Sequence, residues 1–224
     1  MEPSTSNGRG SLSAAVDAPS FLLVELPRFD ERDTSACLDL LTASEPAGEK
    51  LLIVSVTETI GKTHRRWDDH VGEHPDEFAV VSASFAESAP GEDAPDEAGG
   101  TTPAAADGPE PTASSWLTTH QVDDPGDLTG LGITVSNQLA EWADAEEQVV
   151  VCFRSLTTTH QYVGTQELVR FLGELRKHVE ASDAIAHFHL DPDAVDTQTR
   201  AAIRSVFDGV VVASDDDPGV ELLQ

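Results

Sequence analysis

The chain predicts an α/β fold: a mostly parallel sheet with helices on both faces. Three observations carry that expectation. Near-continuous apolar runs occupy residues 51–56, 148–153 and 184–190, as in parallel strands buried on both faces. Apolar residues recur at i, i+3 and i+4 over residues 165–181, the period of an amphipathic helix. Strand-like and helix-like stretches alternate from one end of the chain to the other.

The first strand is expected at 21–26, where Phe21, Leu22, Leu23, Val24 and Leu26 form an apolar run. A loop follows, and then a helix over 34–43 with Ala36, Cys37, Leu40 and Leu41 on one face. A turn at 45–49 leads to the second strand at 51–56. A short polar helix at 63–72 precedes the third strand at 78–82. Order resumes near Leu117, and a helix at 134–144 turns Val135, Leu139 and Trp142 inward. The fourth strand is 148–153, followed by a polar loop and the helix 165–181 with Leu168, Phe171, Leu172, Leu175 and Val179 on its inner face. The fifth strand (184–190), a helix (194–206) and a last strand (209–213) close the fold.

Two stretches are expected to be disordered. Residues 1–20 are rich in Ser, Ala and Gly, with one Arg and no apolar segment of the signal-peptide kind. Residues 86–115 hold five Pro, four Gly and seven acids with no base, too little apolar surface to offset the entropy of ordering. The expected organisation is therefore a lead at 1–20 and one domain at 21–224, interrupted by an acidic insert at 86–115.

Composition points to a habitat. Asp and Glu number 41 against 13 Lys and Arg, for a net charge of −28. Only Lys50, Lys62 and Lys177 are lysines, and the acids run through the whole length. Such a chain repels itself at low salt, and screening to about 3 Å at 1 M salt relieves it. A high-salt cytoplasm, as in halophilic archaea, is the expectation; an acidic mesophilic protein is the alternative. No basic patch recommends nucleic acid as a partner. No apolar run approaches the length of a membrane span. Cys37 and Cys152, both in apolar runs, suit buried thiols in a reducing cytosol better than a disulfide framework.

The loop after the first strand reads Leu26-Pro27-Arg28-Phe29-Asp30-Glu31-Arg32-Asp33-Thr34. A phosphate-binding loop there needs glycines, so that backbone N–H groups can turn inward, and a lysine. This loop has neither. Asp30, Glu31 and Asp33 complement the helix dipole and repel a polyphosphate.

These stretches resemble the RecA/KaiC-like ATPases over residues 21–214. Four places carry the resemblance: the strand–loop–helix at 21–42; residues 49–58, like the second strand of KaiC-like domains and the acidic pair that ends it; residues 149–157, like their Walker B strand; and residues 207–212, like their last core strand. The chain most resembles a haloarchaeal group of motif-poor relatives. The resemblance places Asp33 where the Walker A Lys stands, beside Thr34, which keeps the Mg²⁺-binding hydroxyl type. It places Arg154, followed by Ser155, at the Walker B carboxylate, and leaves Glu58 as the retained half of the acidic pair, with Thr57 as its neighbour. Pro27 opens the altered loop. With two essential charges inverted, the resemblance implies a pseudo-ATPase with no catalytic residues and no ATP or Mg²⁺ as cofactor. Arg154 is expected to reach Asp33 or Asp30 across the old phosphate cleft and fill it with an internal ion pair.

Two further groups are candidates for a pocket. His187, His189 and Asp191 alternate on one strand and share a face near the carboxyl edge of the sheet. His160 could join them, and such a set suits a transition metal. Structural histidines at a strand end are the preferred reading, with no metal expected. Thr157 and its polar neighbours line either a residual pocket or a solvated loop. His64-Arg65-Arg66-Trp67 is a basic–aromatic cluster that suits a nucleotide or partner, or simply an amphipathic helix face. The expected function is a non-catalytic regulatory or signalling module, cytoplasmic, that binds another protein or itself. The alternative is a sensor that binds a nucleotide or another small molecule without hydrolysis, its ligand unknown; a divergent ATPase comes third.

Overall fold

The computed structural model describes residues 12–28, 30–42, 44, 48–56, 58–83, 116–213 and 220–223. The expected insert at 86–115 lies outside these residues, as do Phe29 and Thr57. Eight strands form one sheet: β1 (Ser20–Glu25), β2 (Glu49–Ser55), β3 (Glu77–Ala83), β4 (Leu117–Val122), β5 (Gln148–Arg154), β6 (Ile185–Leu190), β7 (Gly209–Ala213) and β8 (Val220–Leu223). Their order is β4-β3-β2-β5-β6-β1-β7-β8, and every pairing is parallel except β7 with β8. This is a RecA-like α/β architecture. β6 lies between β1 and β5, so the ends of three strands meet at one place on the carboxyl edge.

The helices are α1 (Glu31–Leu41), α2 (Ile60–His70), α3 (Leu128–Glu141), α4 (Leu156–Tyr162), α5 (Thr165–Ala181) and α6 (Thr197–Arg204). Strand residues alternate between two apolar layers, as period two requires. Phe21 and Leu23 of β1, Val151 and Phe153 of β5, and Phe188 of β6 pack with Leu131, Leu168, Leu172 and Ile203 of α3, α5 and α6. On the other face, Leu22 and Val24 meet Ala36 and Leu40 of α1, while Val150 and Cys152 meet Cys37, Leu41 and Trp67 of α1 and α2. Both faces are covered, which is why the strands read as apolar on both phases.

Several boundaries differ from those expected. Helix α1 begins three residues early, at Glu31, because Asp30 caps it: its carboxylate accepts the Arg32 N–H at 2.9 Å. Helix α3 begins at Leu128, since Asp127 accepts from Gly130 N at 2.8 Å. The residues around Thr157 form α4, capped by Ser155, and are not a loop. Neither β4 nor β8 was expected; β4 is polar and half-exposed, so it carries no apolar run to announce it. Part of the expected disordered lead is packed: Leu12 is buried against the layer of Leu22 and Val24, and its N–H donates to Asp39 at 2.5 Å. Trp67 is a core residue whose Nε1 donates to Glu73 O at 2.8 Å, so the basic–aromatic cluster is not an open stacking platform.

The charge on β1 is enclosed. The Glu25 side chain has no solvent exposure, and its Oε2 accepts from Arg200 Nη2 at 2.6 Å and Nε at 3.1 Å, with Arg204 Nη1 at 3.4 Å. Replacing Arg200 with alanine leaves Arg204 as its remaining cation. The expected cost is about 1.5–3 kcal/mol, the range for a hydrogen bond to a charged group, read from urea denaturation.

Candidate functional site

The site grows from three short patterns, each on a different element. On α1, Asp33 and Cys37 are four residues apart and share a face, one turn above the other. On β5, Cys152 and Arg154 are two apart, and on β6 so are His187 and His189; each pair points to the α1 side of the sheet. Register places Cys152 opposite His187. The six side chains therefore stack in two layers beneath α1.

The outer layer is an ion network across the cleft. Asp33 Oδ2 accepts from Arg154 Nη2 at 2.6 Å, and Asp33 Oδ1 accepts from His189 Nδ1 at 2.6 Å. The Asp33 and Arg154 side chains are only 10% and 15% exposed, so this is a largely buried pair. The chain thus holds an arginine–aspartate bridge at the position where the resemblance puts phosphate and metal. Asp30, the other carboxylate Arg154 was expected to reach, is taken by Arg32 at 2.6 Å.

The inner layer is thiol and imidazole. Cys37 Sγ lies 3.6 Å from Cys152 Sγ and 3.6 Å from His187 Nε2. One ligand atom from each of Cys37, Cys152, His187 and His189 falls within 4.8 Å of the others, and all four residues are buried. Burial lowers the pKa of His187. For His189 burial also acts downward, but Cys37 and Asp33 outweigh it and the net shift is upward. The Cys37 thiol is held well below its ordinary value, mainly by the hydrogen bond from Cys152, with Arg154 and His189 contributing. Burial pushes Cys152 up.

A cavity of about 250 Å³ opens above the network, lined by residues that include Arg28, Asp33, Glu58, Arg66, Arg154 and Asp191. Glu58 accepts from Arg66 and is 3.4 Å from Lys62 Nζ, both on α2. Burial raises the Glu58 pKa, and Arg66 and Lys62 overcome it, so the carboxyl sits below its usual value. The Asp191 carboxylate accepts from Arg28 N at 3.4 Å, and its own N–H donates to Thr157 Oγ1 at 2.8 Å. Pro27 accepts from Asp30 N at 3.0 Å and shapes the entry to α1. Thr34 lines the cavity beside Asp33, and Ser155 caps α4.

Of the residues singled out from sequence, Asp33, Arg154 and His189 meet directly, and His187 lies just beneath. His160 does not join them. Its Nε2 pairs with Thr165 Oγ1 at 2.9 Å, and Thr165 meets Thr199 of α6, so it belongs with helices of the opposite face. Sequence reasoning passed over Cys37 and Cys152 as members of this group. The signal was present: each sits one structural period from a site residue, four before Cys37 and two after Cys152.

With the RecA-like fold defined, comparison places the chain more narrowly. It belongs to a family of unknown function, DUF7504, which it matches over residues 19–213. Among solved structures it is similar to a protein of Pyrococcus horikoshii OT3 (PH0250), at 10% identity and a TM-score of 0.53, covering 92% of this chain and 87% of that one. It is also similar to the flagellar accessory protein FlaH of Methanocaldococcus jannaschii, at 11% identity and a TM-score of 0.51, covering 99% and 84%. At these identities the likeness is one of fold. No curated protein sequence matches the chain.

Proposed function

We propose that this protein is a non-catalytic RecA-like domain, a pseudo-ATPase that acts in the cytoplasm of a halophilic archaeon as a regulatory or signalling module by binding another protein. The observation that carries this reading is the Arg154–Asp33 bridge, which fills the cleft with protein charge. A nucleotide would have to break a largely buried pair and bring its phosphates onto Asp33 and Glu58 without a glycine loop or Walker lysine. For the binding role, the support is a groove of about 760 Å³ between α3 and α5. Ile133 and Tyr162, the exposed large hydrophobic side chains among the described residues, both line it. That suits a protein partner, or a second copy, presenting apolar side chains.

The test is calorimetry with ATP or ADP and Mg²⁺ in about 2–3 M KCl, where the acidic surface is screened. No heat of binding from a folded sample is expected. Micromolar binding would overturn the filled-cleft reading.

One observation favours a second reading, a small-molecule sensor. Four of the 13 basic side chains, Arg28, Lys62, Arg66 and Arg154, line the cavity above the bridge. Against them stand the carboxylates of Asp33, Glu58 and Asp191, so the cavity is slightly positive in a chain that is otherwise strongly acidic, which suits a small anion. The same titration with inorganic phosphate or a dicarboxylate separates it from the first reading.

A further inference from the structure

We propose that Cys37, Cys152, His187 and His189 form a closed tetrahedral site for a thiophilic divalent metal, zinc above all, buried between α1 and the sheet. This goes beyond the pseudo-ATPase reading and does not depend on it.

The donor set is the first argument. Two thiols and two imidazoles form the Cys₂His₂ combination that selects zinc among the common divalent ions. Bond lengths of about 2.3 Å to sulfur and about 2.0 Å to nitrogen put tetrahedral ligand atoms about 3.3–3.8 Å apart. Here the Sγ–Sγ and Sγ–Nε2 separations are both 3.6 Å, and no pair among the four ligand atoms exceeds 4.8 Å. Binding requires the widest pair to close by about 1 Å.

An unmet polar atom is the second argument. His189 Nε2 is buried and has no hydrogen-bond partner among the described residues. Such orphans are costly in a core, and metal ligation satisfies the His189 nitrogen outright. Two cysteine thiolates also balance the charge of a dication, so the loaded site adds no net charge to the interior.

The third argument is the shell around the ligands. His189 donates Nδ1–H to Asp33 at 2.6 Å, which fixes the tautomer that leaves Nε2 free to bind. A carboxylate that accepts the other ring N–H of a ligating histidine fixes the ring's orientation and raises its basicity, and here Arg154 anchors that carboxylate in turn. Each of α1, β5 and β6 thus supplies both a ligand and a member of the outer network, except that His189 serves in both. Asp33 and Arg154 thus hold the ligands from outside. A narrow pocket lined by Thr34, Cys37, Ile53, Cys152 and Arg154 reaches the two sulfurs and gives an ion a way in. With four protein ligands no coordination position stays open, so the site is structural: it staples α1 to the centre of the sheet.

The experiment uses the full chain, free of any polyhistidine tag and kept reduced in high KCl. Metal content is measured after purification from zinc-containing medium. The protein is then stripped with a chelator and titrated with Co²⁺. One equivalent of metal is expected, with the strong visible bands of tetrahedral cobalt and a near-ultraviolet thiolate-to-cobalt charge-transfer band. Cys152→Ser should weaken that band, His160→Ala should leave it unchanged, and Asp33→Asn should lower affinity on the order of 10–100-fold. Surface carboxylates that bind Co²⁺ give no sulfur band. A folded, reduced wild-type chain lacking the band would overturn the proposal without recourse to any variant. So would a Cys37–Cys152 disulfide that persists under reducing conditions, or a band that survives in the Cys37→Ser/Cys152→Ser double variant.

Discussion

Asp33→Ala is expected to destabilise the protein by about 3–5 kcal/mol, the cost of stranding one member of a buried ion pair. The reason is geometric. Asp33 accepts from Arg154 through one oxygen and from His189 through the other, both at 2.6 Å. Removing it leaves a guanidinium that is 15% exposed without its hydrogen-bonded acid, and an imidazole nitrogen without an acceptor. Arg154→Met should cost less, about 1.5–3 kcal/mol, because Asp33 keeps its bond to His189. The double variant should cost less than the sum of the two, since each single change already breaks the shared contact. Denaturation in high KCl with a chelator present measures all three free of any metal effect. A cost within about 1 kcal/mol for Asp33→Ala would mean that the bridge behaves as a surface pair and does not fill the cleft.

How much of this was legible in the sequence depends on the kind of residue. The buried strands declared themselves because a parallel sheet covered on both faces leaves no polar phase, as in the runs 51–56 and 148–153. The Arg154–Asp33 contact could be anticipated because both positions map to one edge of a known kind of sheet. β4 could not: Leu117–Val122 is polar and half-exposed, and it is held by backbone pairing to β3. The start of α1 was legible in part: the three acids were expected to complement its dipole, but its first turn was placed at Thr34, where the Asp30 cap starts it at Glu31. The cysteines carried only a local signal. Cys37 and Cys152 are 115 positions apart, and each alone has the character of a small core residue. Their meeting at His187 depends on β6 entering between β1 and β5, a matter of strand order that hydropathy does not encode.

The other large effect expected is that of salt. Raising KCl from about 0.1 M to about 2 M shrinks the screening length from about 10 Å to below 3 Å. The chain carries −28, and all three lysines are already bound to acids: Lys50 to Asp76 and Glu77, Lys62 to Glu58, and Lys177 to Glu174. With 41 acids against 13 bases, most carboxylates have no cation to answer them, and only mobile ions can reduce their mutual repulsion. The melting temperature should rise by roughly 10 °C or more over that range, equivalent to roughly 3–4 kcal/mol for a chain of this size. The cost of Asp33→Ala should stay nearly constant across it, because a buried pair is little screened while the surface is fully so. A melting temperature indifferent to KCl would break the link between this composition and a saline cytoplasm, and would favour an acidic protein of ordinary habitat. A salt-dependent Asp33→Ala cost would instead show that water and ions reach the cleft, which would reopen it to a ligand.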